Sequence, residues 1–170
     1  MKEIKLEKTY KLSDELLAVM KSLLEKSKAD HIEHGINLLL KDRDTLIPGT
    51  VETSCENSHE CTLEREPGKV GTFHVHPDEF VSEPSQWDLV FAIQELEQAV
   101  GEPDLVCVMG QNAPWMICAY PNKYGLEVPK NPPETDEEWE ELKRKVDAGE
   151  EVVITPENIK KAFNFVKVEL

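Results

Sequence analysis

Residues 69–77 read Lys-Val-Gly-Thr-Phe-His-Val-His-Pro, and no other stretch limits the possible folds as tightly. Val70, Phe73 and Val75 are β-formers, and Pro77 ends any hydrogen-bond ladder, so the spacing predicts a strand over 69–76. Side chains two apart in a strand share a face. His74 and His76 therefore project together, while Phe73 and Val75 point the other way. Two neutral imidazoles on one face make half of a zinc site.

Residues from Ser85 to about Val100 follow with the pattern of a helix, placing Leu89, Ile93 and Leu96 on one side and Asp88 in the first turn. If that turn folds back over the strand, Asp88 adds an oxygen ligand to His74 and His76. Three protein ligands and a water describe a catalytic zinc, whereas a fourth protein ligand describes a structural one. Ser85-x-x-Asp88 also fits a capping box, in which the Asp88 carboxylate serves the Ser85 backbone amide. These two readings compete for the same carboxylate.

The sequence His74-x-His76-Pro77, followed by Ser85-x-x-Asp88, resembles the JAMM motif of the JAB/MPN metalloproteases, zinc isopeptidases that include deubiquitinases. The resemblance implies Zn2+ bound by His74, His76 and Asp88. It implies that Ser85 stabilises the tetrahedral intermediate, and that an upstream glutamate is the general base. A helix, then His31-Ile32-Glu33-His34-Gly35, then the apolar run Ile36 to Leu40 is similar to the family's opening. On that basis Glu33 is the base, with Glu52 on the next extended segment in reserve. His31 and His34 read as surface or edge histidines, either of which could line the cleft. Pro77 and Ser85 stand one residue further apart than is usual in the family. That insertion is expected to bulge from the 78–84 connection and leave its ends in place. The implied fold is α+β, a JAB/MPN-like (cytidine-deaminase-like) curved mixed sheet flanked by helices at 14–28 and 85–100. The resemblance covers about residues 12 to 120. Accordingly the chain divides into a metalloprotease-like domain at 1–120, a proline-rich linker at 121–134 and an acidic, mostly helical extension at 135–170.

Elsewhere the signals are local. Residues 3–10 read as extended. Ser13 is a good N-cap, with Asp14 and Glu15 in the first turn of a helix burying Leu16, Met20, Leu23 and Leu24. Residues 41–66 look polar and hairpin-like. Residues 105–109 and 115–120 read as a hairpin with Cys107 and Cys118 near mid-strand. Thr135-x-x-Glu138 opens an acidic helix with the stripe Trp139, Leu142 and Val146. Val152 to Ile154 suggests a strand, and Thr155-Pro156 suggests a last helix with Ile159, Ala162, Phe163 and Val166 inward.

A formal net charge of −15 argues against nucleic-acid or anionic-membrane partners. No apolar run has membrane-spanning length and the first residues do not open a signal peptide, so a cytoplasmic setting is expected. There the four cysteines would stay reduced unless the source is a hyperthermophile. Cys55 and Cys61, with His59 between, are too widely spaced for the usual zinc pair. The expected function is zinc-dependent hydrolysis of an isopeptide or peptide bond in a protein or peptide substrate, with conjugates of small ubiquitin-like modifiers the natural candidates. Two alternatives stand beside it. One is a metal-free MPN-type scaffold for protein interaction. The other is a cupin, because His74-x-His76 followed by Glu79 resembles the cupin metal motif, although the 85–100 helix signal favours α/β.

Overall fold

In the computed structural model of the protein, which describes residues 2–6, 8–55, 66–77, 84–85, 88–89, 105–112, 115–122, 133–155 and 157–170, the chain opens with a short hairpin, β1 (Glu3–Lys5) and β2 (Thr9–Leu12). Helix α1 (Asp14–Asp30) follows. The Ser13 hydroxyl caps it, accepting from the Leu16 N–H at 3.0 Å, with Asp14 and Glu15 complementing the helix dipole. Leu16, Met20 and Leu23 lie on one face at helical spacing and are buried. The helix stops at His31, in the left-handed region at φ 58°, whose N–H bonds back to the Ser27 carbonyl.

Two long antiparallel strands come next, β3 (Glu33–Lys41) and β4 (Thr45–Cys55). Their register slips between Ile36, which faces Glu52, and Leu38, which faces Pro48. The slip gives β4 a bulge where a proline is tolerated. Glu66 closes over the bulge, accepting from the Thr50 N–H at 3.0 Å, the Thr50 hydroxyl at 2.9 Å and Asn37 Nδ2 at 3.0 Å. The Thr50 backbone N–H is the main reason the Glu66 carboxyl sits below its ordinary range.

Strand β5 (Lys69–His76) pairs antiparallel with β3 and parallel with β6 (Leu105–Gly110); β7 (Trp115–Pro121) pairs antiparallel with β6. Gly71 faces Leu105, and a Cβ at Gly71 would strike the Leu105 carbonyl. Glycine is what lets β6 approach at the start of its pairing. Cys107 and Cys118 stand opposite one another and form a disulfide, where a reducing cytoplasm would favour thiols. Helix α2 (Asp136–Asp147), capped by Thr135, and a 3-10 turn (Ile159–Ala162) lead into the last strand, β8 (Phe163–Glu169).

The eight strands form one sheet in the order β1-β2-β4-β3-β5-β6-β7-β8, and its edge strands β1 and β8 approach each other. Helix α1 packs on β3, β4 and β5. On that side Leu16, Met20 and Leu23 meet Leu38, Phe73, Val75, Leu105 and Met109. On the other side Val106, Val108 and Ala119 meet Leu89, Ile154, Ile159, Ala162 and Phe163, with Trp139 of α2 against them. Both faces of β6 are thus buried, which explains its nearly continuous apolar sequence.

This architecture corrects the expected JAB/MPN-like α+β fold. Strands make up 45% of the described residues, and the sheet is nearly closed and barrel-like, not the expected open curved sheet, although the helix expected at 14–28 is present as α1 and packs on it. The reason lies at the chain ends. The N-terminal hairpin adds β1 and β2 at one edge, and the C-terminal segment adds β8 at the other. The helix expected from Thr155 is only the 3-10 turn, after which Phe163, Phe165 and Lys167 alternate with Asn164, Val166 and Val168 along β8. Of the expected 85–100 helix, Asp88 and Leu89 are helical, and most of the rest lies outside the described residues. No helix among the described residues is long and apolar enough to cross a membrane.

Candidate metal centre

Strand β5 sends Phe73 and Val75 into the α1 core and His74 and His76 to the opposite face. Gly35 of β3 faces His74 across the ladder. Glu33, two residues earlier, therefore projects on the histidine side. His74 Nε2 lies 3.0 Å from His76 Nε2 and 3.2 Å from Glu33 Oε1. Asp88 Oδ2 completes the group, 3.2 Å from His74 Nε2 and 3.3 Å from His76 Nε2. Glu33, His74 and His76 are buried, and these four side chains, with ligand atoms all within 4.8 Å of one another, can hold a metal ion.

The spacing fits that use. For ligands at about 2.0–2.1 Å around a tetrahedral zinc, neighbouring donor atoms lie ~3.4 Å apart by geometry. His74, His76 and Asp88 form a nearly equilateral triangle with sides of 3.0, 3.2 and 3.3 Å, close to one face of such a tetrahedron.

Ser85 and Asp88 do form the capping box: the Ser85 hydroxyl accepts from the Asp88 N–H at 3.1 Å, and Asp88 Oδ2 accepts from the Ser85 N–H at 2.8 Å. The same Oδ2 meets both histidines. The expected competition for this carboxylate is thus absent. One oxygen has room for two kinds of partner, and the cap fixes its direction. Ser85 is exposed, and its hydroxyl, accepting from the backbone, keeps its own hydrogen to donate.

Charge is concentrated here. Burial works to lower the His74 pKa, but the Asp88 charge and hydrogen bond, with the Glu33 charge, outweigh it and raise the imidazole above its ordinary value. Burial likewise works to raise Asp88, yet the charge and hydrogen bond of His74 and the bond from His76 hold that carboxyl far below the usual range. Without metal, a proton on His74 is the stabilising cation, and that stabilisation fades as pH rises through the raised His74 pKa. A bound metal must replace this proton. Affinity for a divalent metal, with zinc as the probe, is therefore expected to fall, with more protons released on binding, as pH drops from about 8 to 5.5. Calorimetric titration in buffers of different ionisation enthalpy reads both quantities. An affinity flat across that interval would contradict proton competition at His74.

The reserve glutamate sits elsewhere. Glu52 is exposed and pairs with Lys26 at 2.6 Å. His31 caps α1, and His34 turns to the α1 face of β3, away from the cluster. The Cys55-His59-Cys61 segment lies outside the described residues except for the Cys55 backbone. So does the 78–84 connection apart from Pro84, and with it both the expected bulge and the Glu79 a cupin-like set would require. Among described residues, the carboxylate that meets both histidines is Asp88. No protein-family model matches the chain, and no curated protein matches it.

Proposed function

We propose that the protein is a zinc-dependent hydrolase of isopeptide or peptide bonds, working with the residue set of the JAMM motif. The observation that carries this reading is the triangle of His74, His76 and Asp88 with the buried Glu33 carboxylate beside it. Two imidazoles and one carboxylate suit zinc, and three protein ligands leave a position for substrate or water. The proposal rests on these residues and not on the fold. It keeps the cytoplasmic setting and the conjugates of small ubiquitin-like modifiers as expectations.

His74, His76 and Asp88 would hold the ion. When bound, zinc polarises a carbonyl and lowers the pKa of a water from about 15.7 to near 7. Glu33 takes a proton from the attacking water and delivers it to the leaving amine as the amide C–N bond breaks. Its buried position, with Oε1 3.2 Å from His74 Nε2, supports that role, because a general base must lie within hydrogen-bond reach of the water it deprotonates. The Ser85 hydroxyl donates to the carbonyl oxygen as negative charge develops there.

The test is zinc analysis of protein purified without chelating resin, together with cleavage of an isopeptide-linked conjugate. About one zinc per chain is expected. A chelator should stop cleavage and added zinc should restore it. Protein that takes up no zinc and cleaves nothing would favour the MPN-type scaffold instead.

A further inference from the structure

His34 follows Glu33 in β3 and projects from the opposite face of the strand. Its two ring nitrogens are both engaged. Nε2 lies 2.7 Å from Asp30 Oδ2, and Nδ1 lies 2.8 Å from the Ser54 hydroxyl. Asp30 belongs to the last turn of α1 and is itself fixed, because its other oxygen accepts from the Ile32 N–H at 3.1 Å. Ser54 stands directly opposite His34 in the β3/β4 ladder. The imidazole is buried, at 5% exposure, while Ser54 is exposed to an incoming molecule. A hydroxyl, an imidazole and a carboxylate in this order meet the geometric requirement for an activated nucleophile, which is set by roles and distances rather than by sequence order.

We infer that Ser54, His34 and Asp30 form a second, metal-independent hydrolytic site, with Ser54 as nucleophile toward a small activated carboxylic ester. Ser54 Oγ attacks the ester carbonyl carbon while its proton passes to His34 Nδ1. The ester C–O bond breaks, and the leaving oxygen takes that proton. Water then attacks the acyl group on Ser54 and gives a proton to Nδ1, which returns it to Oγ as the acyl bond breaks. The balance is ester plus water to acid plus alcohol. Asp30 is the positioning residue, holding the ring with Nδ1 turned to the serine and stabilising it while it carries the extra proton. Among the described residues, β2 pairs with β4 only at Thr45 and Leu46. Beyond that pairing the described residues place no strand along the outer side of β4, so its backbone N–H groups on that side are candidate donors to a developing oxyanion. An ester suits this open position better than an amide, since an alkoxide leaves with less help than an amine.

The test treats the full chain, zinc-loaded and chelator-treated, with a fluorophosphonate probe and with p-nitrophenyl acetate. Peptide mapping should find the probe on Ser54 in both preparations. Ser54→Ala and His34→Ala should lower ester turnover by about 10²–10⁴. Asp30→Glu should recover part of the rate that Asp30→Asn loses, because it keeps the charge. His34 is buried, so His34→Ala is read only if its circular dichroism matches wild type; the mapping on wild-type protein stands regardless. Absence of the probe from Ser54, or ester turnover unchanged in Ser54→Ala, would overturn the inference and reduce the three residues to a strut tying α1 to the sheet. Since the chelator arm lacks zinc, this outcome is separate from the fate of the metal-dependent reading.

Discussion

Glu33→Gln is expected to keep zinc while lowering amide-bond cleavage by about 10²–10⁴, the usual loss on removing a general base. Glutamine preserves the shape and buried position of the side chain but cannot accept a proton at neutral pH. In the proposed ligand set, the triangle of His74, His76 and Asp88 is complete without Glu33. Metal content and turnover should therefore separate in this variant. Zinc per chain by elemental analysis, and single-turnover cleavage of an isopeptide-linked conjugate, measure the two. If Glu33→Gln loses zinc together with activity, Glu33 is a fourth ligand, and the centre is structural in the sense that closed four-ligand zinc sites are. If it cleaves at the wild-type rate while Glu52→Gln does not, the base is Glu52, despite its exposure and its pairing with Lys26 at 2.6 Å.

His74→Ala is expected to abolish both zinc binding and cleavage. The loss is large because His74 touches every other member of the group, at 3.0 Å to His76, 3.2 Å to Asp88 and 3.2 Å to Glu33. Its removal leaves the buried Glu33 and the partly buried Asp88 carboxylates with one imidazole, and breaking a buried ion pair typically costs about 3–5 kcal/mol. Thermal unfolding with and without zinc gives the cleanest comparison. Zinc at a thousandfold excess over its dissociation constant stabilises a folded protein by about 4 kcal/mol, so wild type and Glu33→Gln should melt at higher temperature when zinc is added. His74→Ala should start lower and not respond. A normal zinc response in His74→Ala would show that the metal sits elsewhere and that this triangle is not its site.

Much of the candidate centre is written locally. The period-two pattern of 69–76 is enough to put His74 and His76 on one face and Phe73 and Val75 on the other, because side-chain direction in a strand needs no distant partner. The caps at Ser13 and Thr135 are equally local, each a side-chain oxygen meeting a backbone N–H three residues on. The hairpin of β6 and β7 follows from two apolar runs around a turn, and it brings Cys107 opposite Cys118. Tertiary structure decided what depends on register and on closure. Glu33 and Glu52 are both carboxylates on extended segments. Only the pairing of β3 with β5 carries Glu33 to the histidines and leaves Glu52 at the surface. The two uses of Asp88 became compatible only once its turn was set against β5, so that one oxygen could meet an amide and two imidazoles. The C-terminal segment was legible as apolar but not as a strand. Short runs such as Ile159 to Val168 satisfy helical and extended periods alike, and the free edge of β7 settles the choice by supplying a ladder. With β8 at one edge and the β1/β2 hairpin at the other, the sheet curls until its ends approach, a long-range outcome that no local pattern in the chain encodes.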